Sequence, residues 1–448
     1  MPIKLFGTSG IRGEAKTFLK SQFCFDIGRV FAKFLKRHRA KKKVALGMDP
    51  RSSSQRIKKA FARGLLYEKI KVIDEGIVPV PAMNWILIKD KTLGGSVMIT
   101  GSHIREDHNG LKFFFQKKEI LKKHEREIEE IYEKEKEKVK FPGFKPLPKE
   151  TKAKRLYLEM LLALANLPYP EWKVVLDLGN GCQAKIMPTL FKKLKIKTYL
   201  INDKPSSKSF IARDTETEDA VSMLQKEVKK RKADFGIAFD GDGDRVVFVD
   251  EKGNFIPGDY SGSIIAKYSP GDKVVVPINA SQVVEYIGKK VIRTKVGSPY
   301  VVEAMEKYKV NFGFEANGGG ISREIMLSRD GGSTAIKMLN ILKKTGKKLS
   351  QLVNEFPRFF LYRTKVDCPS EFNQIILKKA KEKFKGKKIE EIDGIKIWVK
   401  DTSWILFRPS SNAPEFRVFA EAKTKGEAEA LGRKGIEFVK SIIKTLQA

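Results

Sequence analysis

Residues 173–184 read KVVLDLGNGCQA, in which a short β-branched run is followed by a loop rich in glycine and asparagine and then by a helical pattern. The same order recurs in KVALGMDPRSSS at 43–54 and in DKVVVPINASQVVEYIG at 272–288. Strands that alternate with helices in this way are typical of parallel α/β units. The spacing of about 100–130 residues between the three runs indicates a repeat of three similar α/β domains.

Breaks in this pattern predict the domain boundaries. The stretch FPGFKPLPKE at 141–150 carries three prolines and a glycine, which interrupt helices and strands. Further boundaries are predicted near 250–259 and near 354–357. The strand-like runs and the long helical run that follow predict a smaller C-terminal α+β domain. The predicted domains are residues 1–147, 148–252, 253–354 and 355–448.

A highly charged helix is predicted over residues 118–140. We expect it to be solvated and docked by a narrow apolar stripe of Ile120, Leu121, Ile128, Ile131 and Tyr132. We also expect His124, on this helix, and His38, in the basic run RHRAKKK, to face solvent.

The composition narrows the class of protein. The 448 residues include 88 Lys+Arg and 54 Asp+Glu, a formal net charge of +34, and 41% are hydrophobic. This hydrophobic content excludes a disordered basic tail, and the charge indicates an anionic partner: nucleic acid, a membrane surface or phosphorylated metabolites. Without an apolar run of about 18–20 residues, we expect a soluble, cytoplasmic protein. Cys24, Cys182 and Cys368 form no motif, and we expect buried thiols.

The most specific local signal is FDGDGDRVVFVD at 239–250, where Asp240, Asp242 and Asp244 alternate with glycines after an apolar strand. Three carboxylates on one tight loop can converge on a hard cation, and oxygen ligands favour Mg²⁺ or Ca²⁺. A calcium-binding EF-hand is excluded because Arg245 stands where that loop needs glycine. The pattern predicts a divalent cation site.

A second signal is MITGSHIREDHNGLKFF at 98–114, in which an apolar strand leads into Ser102 and His103, with Lys112 on the predicted return. The carboxyl end of a strand is where α/β proteins present reactive groups. A serine hydrolase is disfavoured because the GxSxG motif and a supporting acid–histidine order are missing. Ser102 taken alone is more simply explained as a turn serine, and only the other motifs reverse that interpretation.

Three further glycine- or serine-rich loops carry polar groups. GFEANGGG at 313–320 offers Glu315 and Asn317 to a ligand rich in hydroxyls. RPSSNAPEFRVFAEA at 408–422 combines guanidinium, hydroxyl and amide groups, which together suit a phosphate. LFGTSGIRG at 5–13 adds Arg12 on a turn.

Five motifs stand in one order over nearly the whole chain: GTSGIRG, TGSHIREDHNGLK, DGDGDR, GFEANGG and RPSSNAPEFR. Together they resemble those of the α-D-phosphohexomutase superfamily, which includes phosphomannomutases and phosphoglucomutases. The resemblance implies three related α/β domains and a C-terminal α+β domain around a central cleft. It also implies interconversion of hexose 6-phosphate and hexose 1-phosphate, with mannose the first expectation and glucose the second.

The resemblance further implies a role for each motif. Ser102 would be carried as phosphoserine, primed by a hexose 1,6-bisphosphate. Mg²⁺ would be bound by Asp240, Asp242 and Asp244 together with an oxygen of the Ser102 phosphoryl group. The other implied residues are Arg12, His103, Lys112 and Arg245 in catalysis, Glu315 and Asn317 at the sugar, and Arg408, Ser410, Asn412 and Arg417 at the phosphate.

The chain departs from the usual family pattern in two informative places. Arg105 stands where the family often has proline, and we expect it to loosen the serine loop or to add a cation. Gly319 stands where the family often has histidine, which puts any role of that side chain in doubt.

Several alternatives stay open beside this interpretation. The substrate could be glucosamine phosphate, or the protein could be a phosphatase or a basic nucleic-acid-binding protein on the same scaffold. No RNA-binding aromatic motif or zinc spacing supports nucleic acid, so we expect sugar phosphates as partners, no membrane, and a monomer or homodimer.

Overall fold

The computed structural model describes residues 4–410 and 414–447, which form four sheets covered by helices. The first domain contains β1 (Ile11–Glu14), α1 (Ser21–Arg37), β2 (Lys43–Met48), α2 (Ser54–Tyr67), β3 (Lys71–Ile77), α3 (Val80–Lys89), β4 (Gly95–Ile99), β5 (His108–Phe115), β6 (Lys118–Glu119) and α4 (Lys122–Glu135). The second contains α5 (Lys152–Ala163), β7 (Lys173–Asp177), α6 (Met187–Lys193), β8 (Lys197–Ile201), α7 (Ser222–Arg231), β9 (Phe235–Phe239), β10 (Val246–Val249) and β11 (Phe255–Ile256).

The remaining elements form the third and fourth domains. The third contains α8 (Gly258–Tyr268), β12 (Lys273–Pro277), β13 (Lys290–Thr294), α9 (Ser298–Lys307), β14 (Phe312–Phe314), β15 (Gly320–Ser322), β16 (Met326–Asp330), α10 (Gly331–Thr345) and α11 (Leu349–Val353). The fourth contains β17 (Phe360–Asp367), α12 (Asn373–Lys383), β18 (Lys388–Glu390), β19 (Ile395–Lys400), β20 (Ser403–Pro409), β21 (Glu415–Ala422) and α13 (Lys425–Gln447).

The first three sheets share one topology. Their orders are β3-β2-β4-β5-β1, β8-β7-β9-β10-β11 and β13-β12-β14-β15-β16. In each, three parallel strands are followed by two antiparallel ones. The central strands β2, β7 and β12 are largely buried, as expected for parallel strands covered on both faces. The predicted repeat of three α/β domains is confirmed.

The fourth sheet is fully antiparallel, in the order β17-β21-β20-β19-β18, and packs against α12 and α13, as the α+β prediction requires. The exact domain limits stay a prediction. Strand β11 still pairs with β10 of the second sheet, although it lies beyond residue 252.

The hydrophobic cores explain how the domains hold together. One continuous cluster joins parts of the first three domains, and the fourth domain has a core of its own. A small cluster of Ile278, Trp404, Leu406 and Phe419 connects the third and fourth domains. The first three domains are therefore fused by shared packing, whereas the fourth is attached through a limited apolar contact.

Two expectations about the charged helix are corrected. Helix α4 is shorter than the predicted 118–140, because Lys118 and Glu119 pair with β5 and Glu137 takes a φ of 57° just beyond the helix. His124 does not face solvent: it is 5% exposed and packs against Phe34 and Phe115. The ring fills the space between this helix and the first domain's core.

The apolar stripe of that helix is buried except for the half-buried Leu121. The three cysteines are free and buried, as predicted. Among the described residues, no helix has the length and apolar character needed to cross a membrane.

Candidate active site

The predicted serine loop follows β4 and brings its hydroxyl to the second domain. Ser102 is buried and has a φ of 51°, a left-handed conformation that is uncommon for a residue with a side chain and often marks a functional position. Its Oγ donates to Asp240 Oδ2 at 2.9 Å. Thr100 ties the two loops together, since its Oγ1 accepts from Ser102 N at 2.8 Å and donates to Asp242 Oδ2 at 3.0 Å.

The three predicted aspartates converge on one point. Oxygen atoms of Asp240, Asp242 and Asp244 lie within 4.8 Å of one another, and all three residues are buried. Asp240 Oδ1 accepts from the backbone N of Gly243 at 3.0 Å and of Arg245 at 3.2 Å, which closes the turn.

The donor set fits a divalent metal. The Oδ1 atoms of Asp242 and Asp244 are buried and have no hydrogen-bond partner among the described residues. Unpaired buried carboxylate oxygens are costly unless a cation compensates them, and all-oxygen donors suit Mg²⁺.

The pKa values of two of these carboxyl groups, Asp240 and Asp244, shift in opposite directions. Burial, then Asp242 and Asp244, raises the pKa of Asp240 well above its ordinary value. Burial acts in the same direction on Asp244, but Arg329, Lys112 and Arg245 outweigh it and lower its pKa. Close like charges together with nearby cations are typical of functional sites.

Cationic side chains from two domains surround the cluster. Lys112 Nζ, on β5, lies 2.7 Å from Asp244 Oδ2 and 3.4 Å from Asp242 Oδ2. Burial would lower the pKa of Lys112, but these two carboxylates raise it. Arg245 Nε lies 4.0 Å from Asp240 Oδ2. For Arg12, on β1, burial lowers the pKa, and it interacts electrostatically with Asp242.

His103 adjoins both the serine and the cations. Its Nδ1 lies 3.4 Å from Ser102 Oγ. Burial, then Arg245 and Arg12, lowers its pKa well below 6.5. The imidazole is therefore neutral near pH 7, because burial and the neighbouring guanidinium groups disfavour its charged form.

The third domain contributes through Arg329, which the sequence analysis missed. Its guanidinium lies 2.9 Å from Asp244 Oδ2 and 2.9 Å from Glu315 Oε2, and its Nη1 lies 3.4 Å from Asn317 Oδ1. The predicted sugar loop is thus linked to the aspartate loop by one buried residue. Arg329 is the penultimate residue of strand β16, and Asp330 separates it from the glycines of helix α10; this position near a strand end was the signal available in the sequence.

The predicted phosphate loop lies on the fourth domain and has its own partners. Arg408 Nε is bound to Asp393 Oδ2 at 2.7 Å, and Arg417 Nη2 to Glu415 Oε1 at 2.6 Å. Arg408 and Arg417 are paired across β20 and β21. Ser410 N donates to Glu415 O at 2.9 Å, whereas Asn412 lies outside the described residues.

The two departures from the family pattern both lie within the described residues. Arg105 has a side chain that is 81% exposed and binds Asp107, while its carbonyl is held within the loop by Arg51. Its expected effect on the loop stays a prediction. Gly319 has a φ of 84°, and a Cβ there would lie 2.2 Å from Asp244 O. A histidine therefore cannot occupy position 319 in this backbone.

Known proteins resemble the whole chain. Models described as phosphoglucomutase/phosphomannomutase, alpha/beta/alpha domains I, II and III match residues 3–139, 155–253 and 257–359. A phosphoglucomutase/phosphomannomutase of Thermococcus kodakarensis is 36% identical, covering 98% of this chain and 99% of the relative. A probable phosphoglucosamine mutase of Pyrococcus abyssi is 35% identical over 98% and 99%. The fold matches a phosphoglucomutase/phosphomannomutase family protein of Burkholderia thailandensis with a TM-score of 0.83, 22% identity and coverage of 98% and 97%.

A phosphoryl-transfer enzyme is the class that this fold and these matches define. The chain belongs to the phosphoglucomutase/phosphomannomutase family of the α-D-phosphohexomutase superfamily. It is an isomerising phosphotransferase that acts on hexose phosphates.

Proposed function

We propose that this enzyme interconverts hexose 6-phosphate and hexose 1-phosphate through phospho-Ser102 and a 1,6-bisphosphate. One observation carries the proposal: the Ser102 hydroxyl lies 2.9 Å from Asp240, beside a buried cluster of three carboxylates and several cations. Phosphoryl transfer needs charge neutralisation and in-line positioning above all, and the cations and the carboxylate cluster beside Ser102 suit the first of these needs.

The proposed chemistry consists of two mirrored transfers. The phosphoryl group passes from Ser102 Oγ to the free hydroxyl of a hexose monophosphate, so one P–O bond breaks as another forms. The hydroxyl proton goes to a base, and the departing Ser102 Oγ takes up a proton. We assign proton transfer to His103, because its Nδ1 lies 3.4 Å from Ser102 Oγ. The bisphosphate then turns end for end, and its other phosphoryl group returns to Ser102.

The side chains around Ser102 have separate tasks in this proposal. Asp240, Asp242 and Asp244 hold Mg²⁺, which when bound neutralises charge on the phosphoryl group. Lys112, Arg245 and Arg12 present positive charge from the protein itself. Because Asp242 and Asp244 outweigh the effect of burial and keep Lys112 charged, we assign it electrostatic stabilisation.

The two remaining loops bind the substrate. Glu315, oriented by Arg329 at 2.9 Å, accepts hydrogen bonds from sugar hydroxyls, with Asn317 beside it. Arg408, Ser410, Asn412 and Arg417 bind whichever phosphate is not reacting. Both loops must accept two substrate orientations, which favours contacts to hydroxyls and phosphates common to both.

Mannose and glucose phosphates are the proposed substrates. A glucosamine phosphate is the second candidate, and the names of relatives favour it specifically: the Pyrococcus abyssi protein is a probable phosphoglucosamine mutase. An assay that offers glucosamine 6-phosphate, mannose 1-phosphate and glucose 1-phosphate with a bisphosphate primer ranks the three by kcat/KM. Equal release of inorganic phosphate and loss of substrate would instead indicate a phosphatase.

Ser102→Ala tests the proposal directly. We expect it to lose bisphosphate-dependent turnover and the one phosphoryl group found by intact-mass analysis. Ser52→Ala, at an exposed serine of the same domain, is the matched control and should retain both. Near-normal turnover of Ser102→Ala would refute the phosphoserine mechanism.

The cellular setting is also a proposal. We propose a cytoplasmic enzyme, monomeric or homodimeric, whose positive charge attracts sugar phosphates rather than nucleic acid. Light scattering gives the oligomeric state. Unchanged mutase kinetics in the presence of duplex DNA or RNA would support the proposal that the positive charge does not serve to bind nucleic acid.

A further inference from the structure

Arg51 is a buried residue just after β2, and its guanidinium lies inside the serine loop. Its Nη2 donates to the carbonyls of Ser102 at 2.9 Å and Ile104 at 2.6 Å. Its Nη1 donates to the carbonyls of Arg105 at 2.6 Å and His108 at 3.2 Å. Its Nε donates to a carboxylate, Asp49, at 3.2 Å. A guanidinium has five N–H donors in a fixed fork, and all five are engaged.

The carboxylate partner extends this clamp. Asp49 Oδ2 also accepts from the backbone N of Gly101 at 3.1 Å, and its Oδ1 accepts from Ser54 Oγ at 2.5 Å. A Cβ at Gly101 would lie 2.7 Å from Arg51 Cζ, so the loop backbone closes directly on the guanidinium. The left-handed φ of Ser102 is a sparsely populated conformation that surrounding contacts must enforce. Arg51 binds the carbonyl of Ser102 itself and those of three further residues of the loop.

A second contact connects Arg51 to the aspartate loop. The ring of Phe210, from the second domain, stacks on Arg51 with its centroid 4.6 Å from Cζ. The same ring packs on Gly241, between the first two aspartates, where a Cβ would lie 2.1 Å from Phe210 Cζ and 3.1 Å from Ser102 O. Arg51, Phe210 and Gly241 thus form one stack that runs from the serine loop to the aspartate loop.

We propose that Arg51 is the positioning residue of this enzyme, which through the serine-loop carbonyls and Phe210 fixes Ser102 Oγ relative to Asp240. The inference rests on the proposed role of Ser102 as phosphoserine. Arg51 touches no reacting atom and is 2% exposed, so it acts only through the loop. Because the Arg408 and Glu315 loops lie on other domains, Arg51 should affect turnover and leave substrate binding unchanged.

Arg51→Lys tests this proposal, since lysine keeps the charge but has one nitrogen and cannot reach five acceptors. We expect kcat to fall about 100-fold, because a misplacement of about 1 Å is sufficient for such a loss, with KM unchanged within about threefold. The rate at which glucose 1,6-bisphosphate phosphorylates Ser102, followed by intact mass in a single turnover, should fall in parallel. Arg56→Lys is the matched control, because Arg56 also donates to two carbonyls, Leu19 at 2.8 Å and Ala15 at 2.5 Å, outside the serine loop.

The outcomes are distinguishable. A folded Arg51→Lys enzyme with kcat no lower than that of Arg56→Lys, or with a loss confined to KM, overturns the proposal. If Arg51→Lys does not fold, Phe210→Leu decides: a fall in kcat of about tenfold at constant KM supports the stack, and an unchanged kcat overturns it. An active Ser102→Ala would refute the proposed function itself, whereas an inactive Ser102→Ala beside a fully active Arg51→Lys refutes only the role of Arg51.

Discussion

At the residue scale, the proposal that the aspartate loop binds a metal ion can be tested by a single substitution. Asp242→Asn replaces one of three converging carboxylates by an amide of the same shape. Because even indirect partners of a metal change its affinity by about 10–100-fold, we expect the Mg²⁺ concentration for half-maximal activity to rise about tenfold or more. Titration of turnover with Mg²⁺ measures it. Asp219→Asn, at an exposed acid of the same domain, should titrate like wild type, and an identical curve for both variants contradicts the assignment.

A second prediction at the residue scale concerns the lack of room for a side chain at Gly319. Gly319→Ala combines a φ of 84° with a contact of 2.2 Å to Asp244 O, so we expect the free energy of unfolding to fall by about 3 kcal/mol. Gly346→Ala is the control, since its φ of 64° is similar but no atom lies within 4 Å. That variant should lose about 1 kcal/mol in the same denaturation experiment. Equal losses would show that the contact with the aspartate loop is unimportant.

The same scale shows where sequence reasoning reaches its limit. The convergence of Asp240, Asp242 and Asp244 was predictable because one motif contains all three carboxylates, whereas Ser102 became a candidate only through the five motifs together. Arg329 was missed because its partner Asp244 lies 85 positions away in the sequence. Arg51 was missed because most of its partners are backbone carbonyls. A carbonyl acceptor leaves no signature in the residue types around it.

At the element scale, helix α4 makes a prediction about pH. Burial, then Lys123 and His38, lowers the pKa of His124 to about 4. The neutral ring accepts a hydrogen bond from Leu121 N at 3.3 Å, at the start of the helix. Protonation near the ordinary pKa of 6.5 occurs only in the unfolded chain, so this histidine lowers stability as the pH falls from about 6.5 to about 4.

His124→Gln should remove that loss, because glutamine keeps an acceptor at the third helical position and does not titrate. We expect the variant to gain stability relative to wild type as the pH falls from about 7 to about 4, with the smallest difference at pH 8. Neighbouring carboxyls such as Glu125, whose pKa is raised to about 7 by burial, titrate in both proteins and cancel in the comparison. Parallel melting-temperature profiles for the two proteins would contradict this account.

Helix α4 also shows which features of a helix could be predicted from the sequence. Its apolar stripe predicted the docked face, and Ile128, Ile131 and Tyr132 are buried. Its start was misplaced because Lys118 and Glu119 favour a helix locally but pair with β5 in the fold. His124 was misassigned because a histidine among charged residues gives no sign that three aromatic rings, Phe34, Phe115 and His38, enclose it.

At the scale of the whole molecule, the packing leads us to expect that the fourth domain moves relative to the other three. The first three domains share a continuous core, whereas the fourth meets the third through a small apolar cluster and a few polar contacts. Gln282 N donates to Glu421 Oε1 at 2.9 Å, and Lys396 Nζ donates to the carbonyl of Ile278 at 3.2 Å. In the proposed mechanism, the bisphosphate turns within the site, which would require this domain to open and close.

Asp393 links the third domain to the proposed phosphate loop. Its Oδ2 accepts from Val296 N of the third domain at 3.0 Å and from Arg408 Nε at 2.7 Å. Asp393→Ala removes both contacts, and since hydrogen bonds to charged groups are worth about 1.5–3 kcal/mol, we expect KM to rise about tenfold with a much smaller change in kcat. Hydrogen exchange in residues 293–298 should become faster. Asp401→Ala, at an exposed aspartate on the same domain, is the control, and equal KM values for the two variants would mean that Asp393 orients neither the phosphate loop nor the domain.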